Sequence, residues 1–383
     1  MKYKSPNVKN INRSTVLKII MKSEGISRAE IARMVSLTKP TVSRITNEFI
    51  ESGYILETGK GESKGGKRPR MLVANKDAFY VIGIDLADDK FLRGVLCDFT
   101  GTILHKEKIQ HNFTYKGILK ELFKLIEFLM DGRDSQKLAG IGLAVSGIVD
   151  RDQSKVIASS NFDLIEKDLT GGITKKFSVP VILENRPNAA ALAEKRYGLG
   201  SPFTNMVFLT SGRGVGAGII CNGKMYGGSF GGAGEIQNIR VGNLSSFAEY
   251  DKTSTVEYMS SEEFIVSKVN KSKEKKLNFS SILKLYDEND KDVAAEINRN
   301  AEYIAYSASV IANILNPEAI ILGGQVVEFG EKYLEHFKSV FVKHLIAPEL
   351  NRVKVYVSKF GRDGVAYGGA ALILDEIINF NIL

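Results

Sequence analysis

Cysteine is nearly absent from this chain of 383 residues: only Cys97 and Cys221 occur. Two cysteines cannot build a disulfide framework, and a four-cysteine metal site is impossible. Each lies in an apolar, strand-like run, so both are expected in the core. Long hydrophobic runs are also missing, with no window near the ~18 consecutive apolar residues of a membrane span. The N-terminal Met1-Lys2-Tyr3-Lys4-Ser5 leads into a stretch broken by Arg13 and Lys18, unlike the apolar core of a signal peptide. A cytoplasmic protein with no membrane partner is the expectation. With 44% hydrophobic and 25% charged residues, disorder and a fibrous fold are excluded. At roughly 100–200 residues per domain, the length suggests two to four domains.

Aspartate is missing from residues 1–76, which carry ten Lys and six Arg against six Glu, a net of +10. The remaining 307 residues hold 36 basic and 38 acidic groups, a net of −2. A small basic module in front of a nearly neutral body is the asymmetry of a nucleic-acid reader attached to something else. A merely solvated basic surface would show the same charge, so residue pattern must decide.

The pattern is that of a winged helix-turn-helix. Val16, Leu17, Ile19 and Ile20 fit one face of a helix from about Arg13 to Lys22, ending before Gly25. Ser27-Arg28-Ala29-Glu30 has capping-box spacing and opens a short second helix with Ile31 and Val35 inward. Thr38 can cap a third helix with Pro40 in its first turn and Val42, Ile45, Phe49 and Ile50 at helical spacing. In this geometry the last helix enters the major groove. Its polar side offers Lys39, Thr41, Ser43, Arg44 and Asn47 to phosphates and base edges. Tyr54–Thr58 and Met71–Val73 then read as a wing, whose tip places Lys67, Arg68 and Arg70 against the backbone or minor groove. A flexible Gly/Lys linker is the alternative for that tip.

Beyond Phe79 two strand-loop-strand units occur. Tyr80–Asp85 ends in a carboxylate and is followed by strands Phe91–Cys97 and Thr102–Lys106. Met206–Thr210 runs through the turn Ser211-Gly212-Arg213-Gly214 into the strand Ala217–Cys221. Recurrence in two halves suggests a duplicated lobe with a cleft between the copies. Ser160-Asn161-Phe162, Glu184-Asn185-Arg186 and Gly234-Glu235-Ile236-Gln237-Asn238 put polar groups at the ends of apolar runs, where a hydroxylated ligand can be held. Each also reads as a turn or helix cap.

Taken together, these segments resemble the ROK family of bacterial sugar kinases and sugar-responsive repressors, over almost the whole chain. The most specific stretches are Val215–Gly228 with Ala233-Gly234-Glu235-Ile236, and Asn316-Pro317-Glu318-Ala319-Ile320-Ile321-Leu322-Gly323-Gly324. The resemblance implies an α/β fold: the winged helix-turn-helix of the repressor branch on a two-lobed actin/hexokinase-like (ribonuclease H-like) body. The expected division is 1–76 for the DNA-binding domain, 77–200 for the first lobe and 201–383 for the second, with the C-terminal helix free to return to the first. It also implies a sugar set of Asn161, Asn185, Glu235, Asn238 and Glu257, and vestigial nucleotide contacts at Asp85, Gly212, Gly214, Gly323 and Gly324.

The departures from the kinase pattern carry the functional expectation. Family kinases place a catalytic Asp after Glu-Asn, where this chain has Arg186, and a guanidinium cannot accept a proton. General-base assistance is typically worth about 10²–10⁴ in rate. The first phosphate loop, Asp-x-Gly-Gly-Thr in the kinases, is Asp85-Leu86-Ala87-Asp88-Asp89 here, without its glycines and with added negative charge. The second loop has Arg213 for the family's Thr. The family's zinc ligands, one His and three Cys, align with Asn238, Ala248, Tyr250 and Thr255, so no zinc is expected. No catalytic residue and no cofactor is therefore assigned. The expected protein is a sugar-responsive regulator, a repressor binding palindromic double-stranded operator DNA as a homodimer or tetramer, in which sugar shifts the lobes and weakens DNA binding. Arg186 either selects an acidic or phosphorylated sugar or pairs with Glu184 or Glu235. The rivals are an ATP- and magnesium-dependent sugar kinase of glucokinase or N-acetylglucosamine kinase type, and a repressor with a dead pocket that answers to a protein.

Overall fold

The computed structural model describes residues 8–60, 69–86, 91–111, 114–151, 153–159, 164–165, 167–241, 250–347 and 352–381. Two compact units emerge: Met1–Val145, Arg151–Glu184 and Gly369–Leu383 form the first, Ser146–Asp150 and Asn185–Gly368 the second. The first opens with α1 (Val8–Met21), β1 (Ile26–Ser27), α2 (Arg28–Val35), α3 (Lys39–Glu51), β2 (Ile55–Lys60) and β3 (Arg70–Ala74). Helix α1 starts earlier than its apolar pattern, because Val8 and Ile11 are exposed and give no inward signal. Val16, Leu17 and Ile20 meet Ile31, Val42, Ile45 and Phe49 as a small core with no solvent exposure above 1%, and β1-β3-β2 forms the wing sheet.

The chain continues through β4 (Tyr80–Leu86), β5 (Phe91–Asp98), β6 (Ile103–Gln110), α4 (Tyr115–Leu129) and β7 (Leu138–Val145). It passes β8 (Ile148–Asp150) of the second unit and returns with β9 (Lys155–Ala158), α5 (Leu169–Phe177) and β10 (Val181–Asn185). The five-stranded sheet has the order β10-β7-β4-β5-β6, with β4–β5 antiparallel and β4–β7 parallel. Helix α4 buries Ile118, Leu122, Leu125, Ile126 and Leu129. It can do so closely because Gly94 has no Cβ, which would lie 2.6 Å from Leu129 Cδ1.

In the second unit come α6 (Arg186–Tyr197), β11 (Met206–Ser211), β12 (Gly216–Cys221), β13 (Lys224–Met225), α7 (Val256–Ser260), α8 (Glu262–Val269), α9 (Phe279–Asp287), α10 (Lys291–Leu315), β14 (Ala319–Gly324), α11 (Gly330–Phe341) and β15 (Lys354–Val357). Its sheet, β13-β12-β11-β14-β15, again pairs an antiparallel hairpin with a parallel strand. The recurrence read from the sequence is thus a recurrence of topology. Tyr333 is fully buried between α10 and α11, and its hydroxyl donates to Asn300 Oδ1 at 2.8 Å, so the ring is buried without orphaning the phenol. Of the two cysteines, Cys97 is buried but Cys221 is exposed, a correction to the sequence expectation. Cys221 ends β12 beside the turn Asn222–Gly223, where the apolar run leaves the sheet.

Helix α12 (Gly364–Ile378) closes the chain, and residues 379–381 dock on the N-terminal head within the first unit. Asn379 Oδ1 accepts from Ser14 Oγ at 2.9 Å and Lys18 Nζ at 2.8 Å. The Phe380 ring stacks on Phe49 with centroids 6.0 Å apart, and the Arg13 guanidinium lies 4.0 Å above it. Phe380 has φ +57°, a left-handed conformation that an aromatic residue rarely adopts. It is the cap residue of α12: Phe380 N donates to Ile377 O and Asn381 N to Glu376 O, the paired bonds that glycine normally closes.

Phe380→Ala should lower the unfolding free energy in urea by about 1–3 kcal/mol through lost stacking and cation–π contact. Phe380→Gly should lose about 1 kcal/mol less, because glycine adopts the left-handed cap freely. A glycine variant no more stable than the alanine one would contradict the strained-cap reading.

Candidate nucleic-acid interface and ligand site

The reading head is built by two caps. Ser27 Oγ accepts from Glu30 N at 3.3 Å while Glu30 Oε2 accepts from Ser27 N at 3.0 Å, completing the expected capping box of α2. Thr38 Oγ1 accepts from Thr41 N at 3.3 Å at the start of α3. Val42, Ile45 and Phe49 are buried, which turns Lys39, Arg44 and Asn47 to solvent, with Thr41 and Ser43 half-buried beside them. Lys67 and Arg68 lie outside the described residues.

Arg28 is a residue the sequence pattern did not single out. Its Nε donates to Thr46 Oγ1 at 3.0 Å and its Nη2 to Asn47 Oδ1 at 3.1 Å, while Nη1 lies 2.7 Å from Glu57 Oε1. Glu57 also takes Arg70. One guanidinium therefore ties α2, α3 and the wing together, and the two arginines hold the Glu57 carboxyl below its usual range. Arg70 pairs with Glu57, and Arg44 with Glu48 at 2.7 Å, so both of these expected DNA contacts are held at their heads by carboxylates. Asn47, with its oxygen engaged by Arg28, presents its NH₂ as the remaining group.

The described ligand candidates lie in the second unit. Asn185 stands at the N-cap of α6, but its side chain makes no capping bond. It gives up a stabilisation of typically ~1 kcal/mol, and its Nδ2 donates instead to Glu235 Oε1 at 2.8 Å. Glu235 Oε2 accepts from Gln237 Nε2 at 2.7 Å. A carboxylate only accepts, so both amides must face it through nitrogen. Each Glu235 oxygen keeps a lone pair for another donor. The loop is set by Gly234, with φ +90°, where a Cβ would lie 1.8 Å from Ala217 O. Ala217 N in turn donates to Gly234 O at 2.9 Å.

Glu257, in the first turn of α7, accepts from Val215 N at 3.2 Å through Oε2. Its own N–H donates to Gln237 O. It therefore joins the Glu235 loop to the turn holding Gly212 and Gly214. Asn238 is exposed, its Oδ1 accepting from the Tyr250 hydroxyl at 2.8 Å. Asn161 lies outside the described residues. Gln237 was missed because a single amide between loop residues has no periodic signature. Arg186 is half-buried as the first residue of α6, and Glu184 pairs with Arg151 at 3.2 Å.

Gly323 and Gly324 have structural reasons of their own. A Cβ at 323 would lie 2.1 Å from Phe208 Cζ, and Gly324, at φ +76°, would meet Thr210 Oγ1 at 2.5 Å. Ser211 Oγ beside them is buried without a hydrogen-bond partner among the described residues. Asp85 is buried in β4 of the first unit, and residues 87–90, with Asp88 and Asp89, lie outside the described residues. At the positions aligned with the family's zinc ligands, Asn238 is bonded to Tyr250, and the Thr255 hydroxyl donates to Lys252 O at 2.8 Å. Ala248 lies outside the described residues. An amide, a phenol and an alcohol engaged in this way do not fit a closed zinc site, which takes thiolate and imidazole ligands. Among the described residues no cluster of three His, Cys, Asp or Glu side chains is placed to hold a metal.

A DNA-reading head joined to a body with two repeated sheets and a clamped carboxylate defines a class, a helix-turn-helix protein on a sugar-kinase-like frame. Residues 81–376 match the ROK family and residues 9–55 the winged helix-turn-helix DNA-binding family, so the chain belongs to the ROK family. It is 31% identical to the xylose repressor of Bacillus subtilis, over 97% of both chains. It is 30% identical to the xylose repressor of Caldicellulosiruptor bescii, over 97% of this chain and 98% of that protein. In fold it is similar to a ROK family transcriptional regulator described as a homologue of E. coli MLC, with TM-score 0.84, 23% identity and 98% of both chains covered.

The Asn185–Glu235 contact predicts a pH-dependent defect. Asn185→Asp would set its carboxylate against that of Glu235 at hydrogen-bond distance, and like charge raises the folded-state pKa of the pair. A raised folded pKa contributes stability at low pH that is lost as pH rises through it. The variant's loss of stability should therefore be larger at about pH 8 than at about pH 5 in matched urea titrations. Equal losses at both would show that the two side chains do not face each other.

Proposed function

We propose that the chain is a sugar-responsive transcriptional repressor. Its head reads a palindromic operator through α3, as a homodimer or tetramer in the cytoplasm, and its body holds a neutral sugar. The observation that carries this reading is the Glu235 carboxylate held by Asn185 and Gln237. It is a rigid acceptor suited to sugar hydroxyls, and together with Glu257 it disfavours a phosphorylated or acidic sugar. Arg186 at the kinase base position supplies no proton acceptor, which supports a sensor over a catalyst. Because the relatives carry the name xylose repressor, D-xylose is the first effector to test. Lys39, Thr41, Ser43, Arg44 and Asn47, with Lys67, Arg68 and Arg70 of the wing, make the DNA face. By linkage, operator and sugar weaken each other's binding by the same factor.

A thermal-shift screen against neutral, amino, acidic and phosphorylated sugars, with and without Mg-ATP, tests the body. A neutral sugar at ~100 times its dissociation constant adds about 2.7 kcal/mol, and Glu235→Gln removes that shift. A shift from ATP that grows with sugar would mean that the nucleotide site survives and would put the kinase reading first. For the head, Lys39→Ala should weaken all duplexes uniformly and flatten the salt dependence. Asn47→Ala should cost about 1–3 kcal/mol on the selected operator and relax its sequence preference. If neither substitution changes affinity in gel shifts, α3 is not the reading helix.

A further inference from the structure

Arg151 bridges the strand that carries the ligand residue and the helix that carries the tail. Its Nε lies 3.2 Å from Glu184 Oε2, and its Nη2 lies 4.0 Å from Glu376 Oε1. Glu184 immediately precedes Asn185 in β10, so any displacement of the Asn185 backbone moves it. Glu376 is the residue that closes the α12 cap. Its carbonyl accepts from Asn381 N at 2.9 Å, and its Oε2 accepts from Asn381 Nδ2 at 2.6 Å. Between these bonds sits Phe380, kept left-handed and stacked on Phe49 of α3. Asn379, one residue earlier, takes Ser14 and Lys18 of α1. A continuous set of contacts therefore runs from a ligand residue to the back of the recognition helix, all beyond Asn185 lying within one compact unit.

We infer that Arg151 is the positioning residue that couples the ligand site to the reading head. This rests on the ligand-responsive reading given above. The two ion pairs are unequal, which sets the direction. Glu184 is 3% exposed, and separating an ion pair at a carboxylate so far from water costs more than separating a solvated one. The Glu376 pair is longer and partly solvated, so it is the one that yields. When Asn185 is drawn onto a ligand, Arg151 follows Glu184 and leaves Glu376. The cap that holds a strained Phe380 then loses a supporting charge, and the stack on Phe49 loosens. Alpha3 is held less firmly, and operator affinity falls.

The full chain is compared with Glu376→Gln, which keeps the buried Arg151–Glu184 pair, and with Arg151→Lys, which keeps charge but cannot reach two carboxylates with one planar fork. D-xylose and a fluorescent duplex selected from a random library serve as probes. Glu376→Gln should bind D-xylose within about twofold of wild type, while the ratio of operator Kd with and without saturating D-xylose shrinks at least about fivefold. Amide hydrogen exchange on the ligand-free chain should rise at residues 379–381 and in α1. Exchange that rises while the ratio stays at its wild-type value would make the cap purely structural and overturn the inference. So would exchange and ratio both unchanged in the two variants. If wild-type operator binding ignores D-xylose, the effector assignment falls. The ratio is then read with the neutral sugar that raises the melting temperature in the screen above, and a ratio that stays at its wild-type value in Glu376→Gln again overturns the relay.

Discussion

The first unit depends on a backbone-to-backbone approach at its centre. Gly369 of α12 presses on Gly142 of β7, where a Cβ would lie 2.0 Å from the Gly369 carbonyl oxygen, and the Cβ site of Gly369 lies 3.2 Å from Gly83 Cα of β4. Two glycines remove the layer of side chains that ordinarily separates a helix from a sheet. The helix is thereby located by main chain, which cannot repack as side chains do. Its far end is fixed in consequence, and Asn379 and Phe380 arrive at the head with enough precision to stack on Phe49 and bond Ser14 and Lys18. The left-handed Phe380 is the local strain that this docking tolerates.

The candidate ligand site follows a different logic, in which polar groups hold one another. Asn185 leaves its own helix uncapped in order to face Glu235, and Gln237 occupies the other carboxylate oxygen. The resulting acceptor has little freedom to turn, so hydrogen bonds to it cost little further ordering. The same economy appears in the head, where Arg28 satisfies Thr46, Asn47 and Glu57 at once. In both places the groups read as functional from the sequence are held by neighbours that the sequence did not mark.

Charge asymmetry gives the two parts their separate tasks. The basic N-terminal module is attracted to phosphates at long range, whereas the nearly neutral body places two carboxylates around the loops where a sugar would bind. In the proposed reading, a kinase-like frame with Arg186 at the base position keeps recognition and gives up proton transfer, because a guanidinium cannot accept a proton. Such a frame is useful to a regulator because it already changes energy on binding a small molecule, and that change can be passed to a second site.

Much was legible in the chain itself wherever a short local rule applies. The Ser27–Glu30 capping box, the Thr38 cap, the inward face of α3 and the repeated strand-turn-strand units depend on neighbours a few residues apart, and they stand in the fold as read. The start of α1 was not legible, since Val8 and Ile11 face solvent, nor was the exposure of Cys221 at a strand end. Sequence determined the kind of protein: a basic reading head, a duplicated body, and a family pattern broken at Arg186. Tertiary structure alone decided that Gln237 shares Glu235 with Asn185, that Arg28 knits the wing to α3, and that Phe380 reaches Phe49 from the other end of the chain. These pairs are separated by up to hundreds of positions or lie in aperiodic loops, and only packing brings them within hydrogen-bond or van der Waals range, where energies of ~1 kcal/mol become specific.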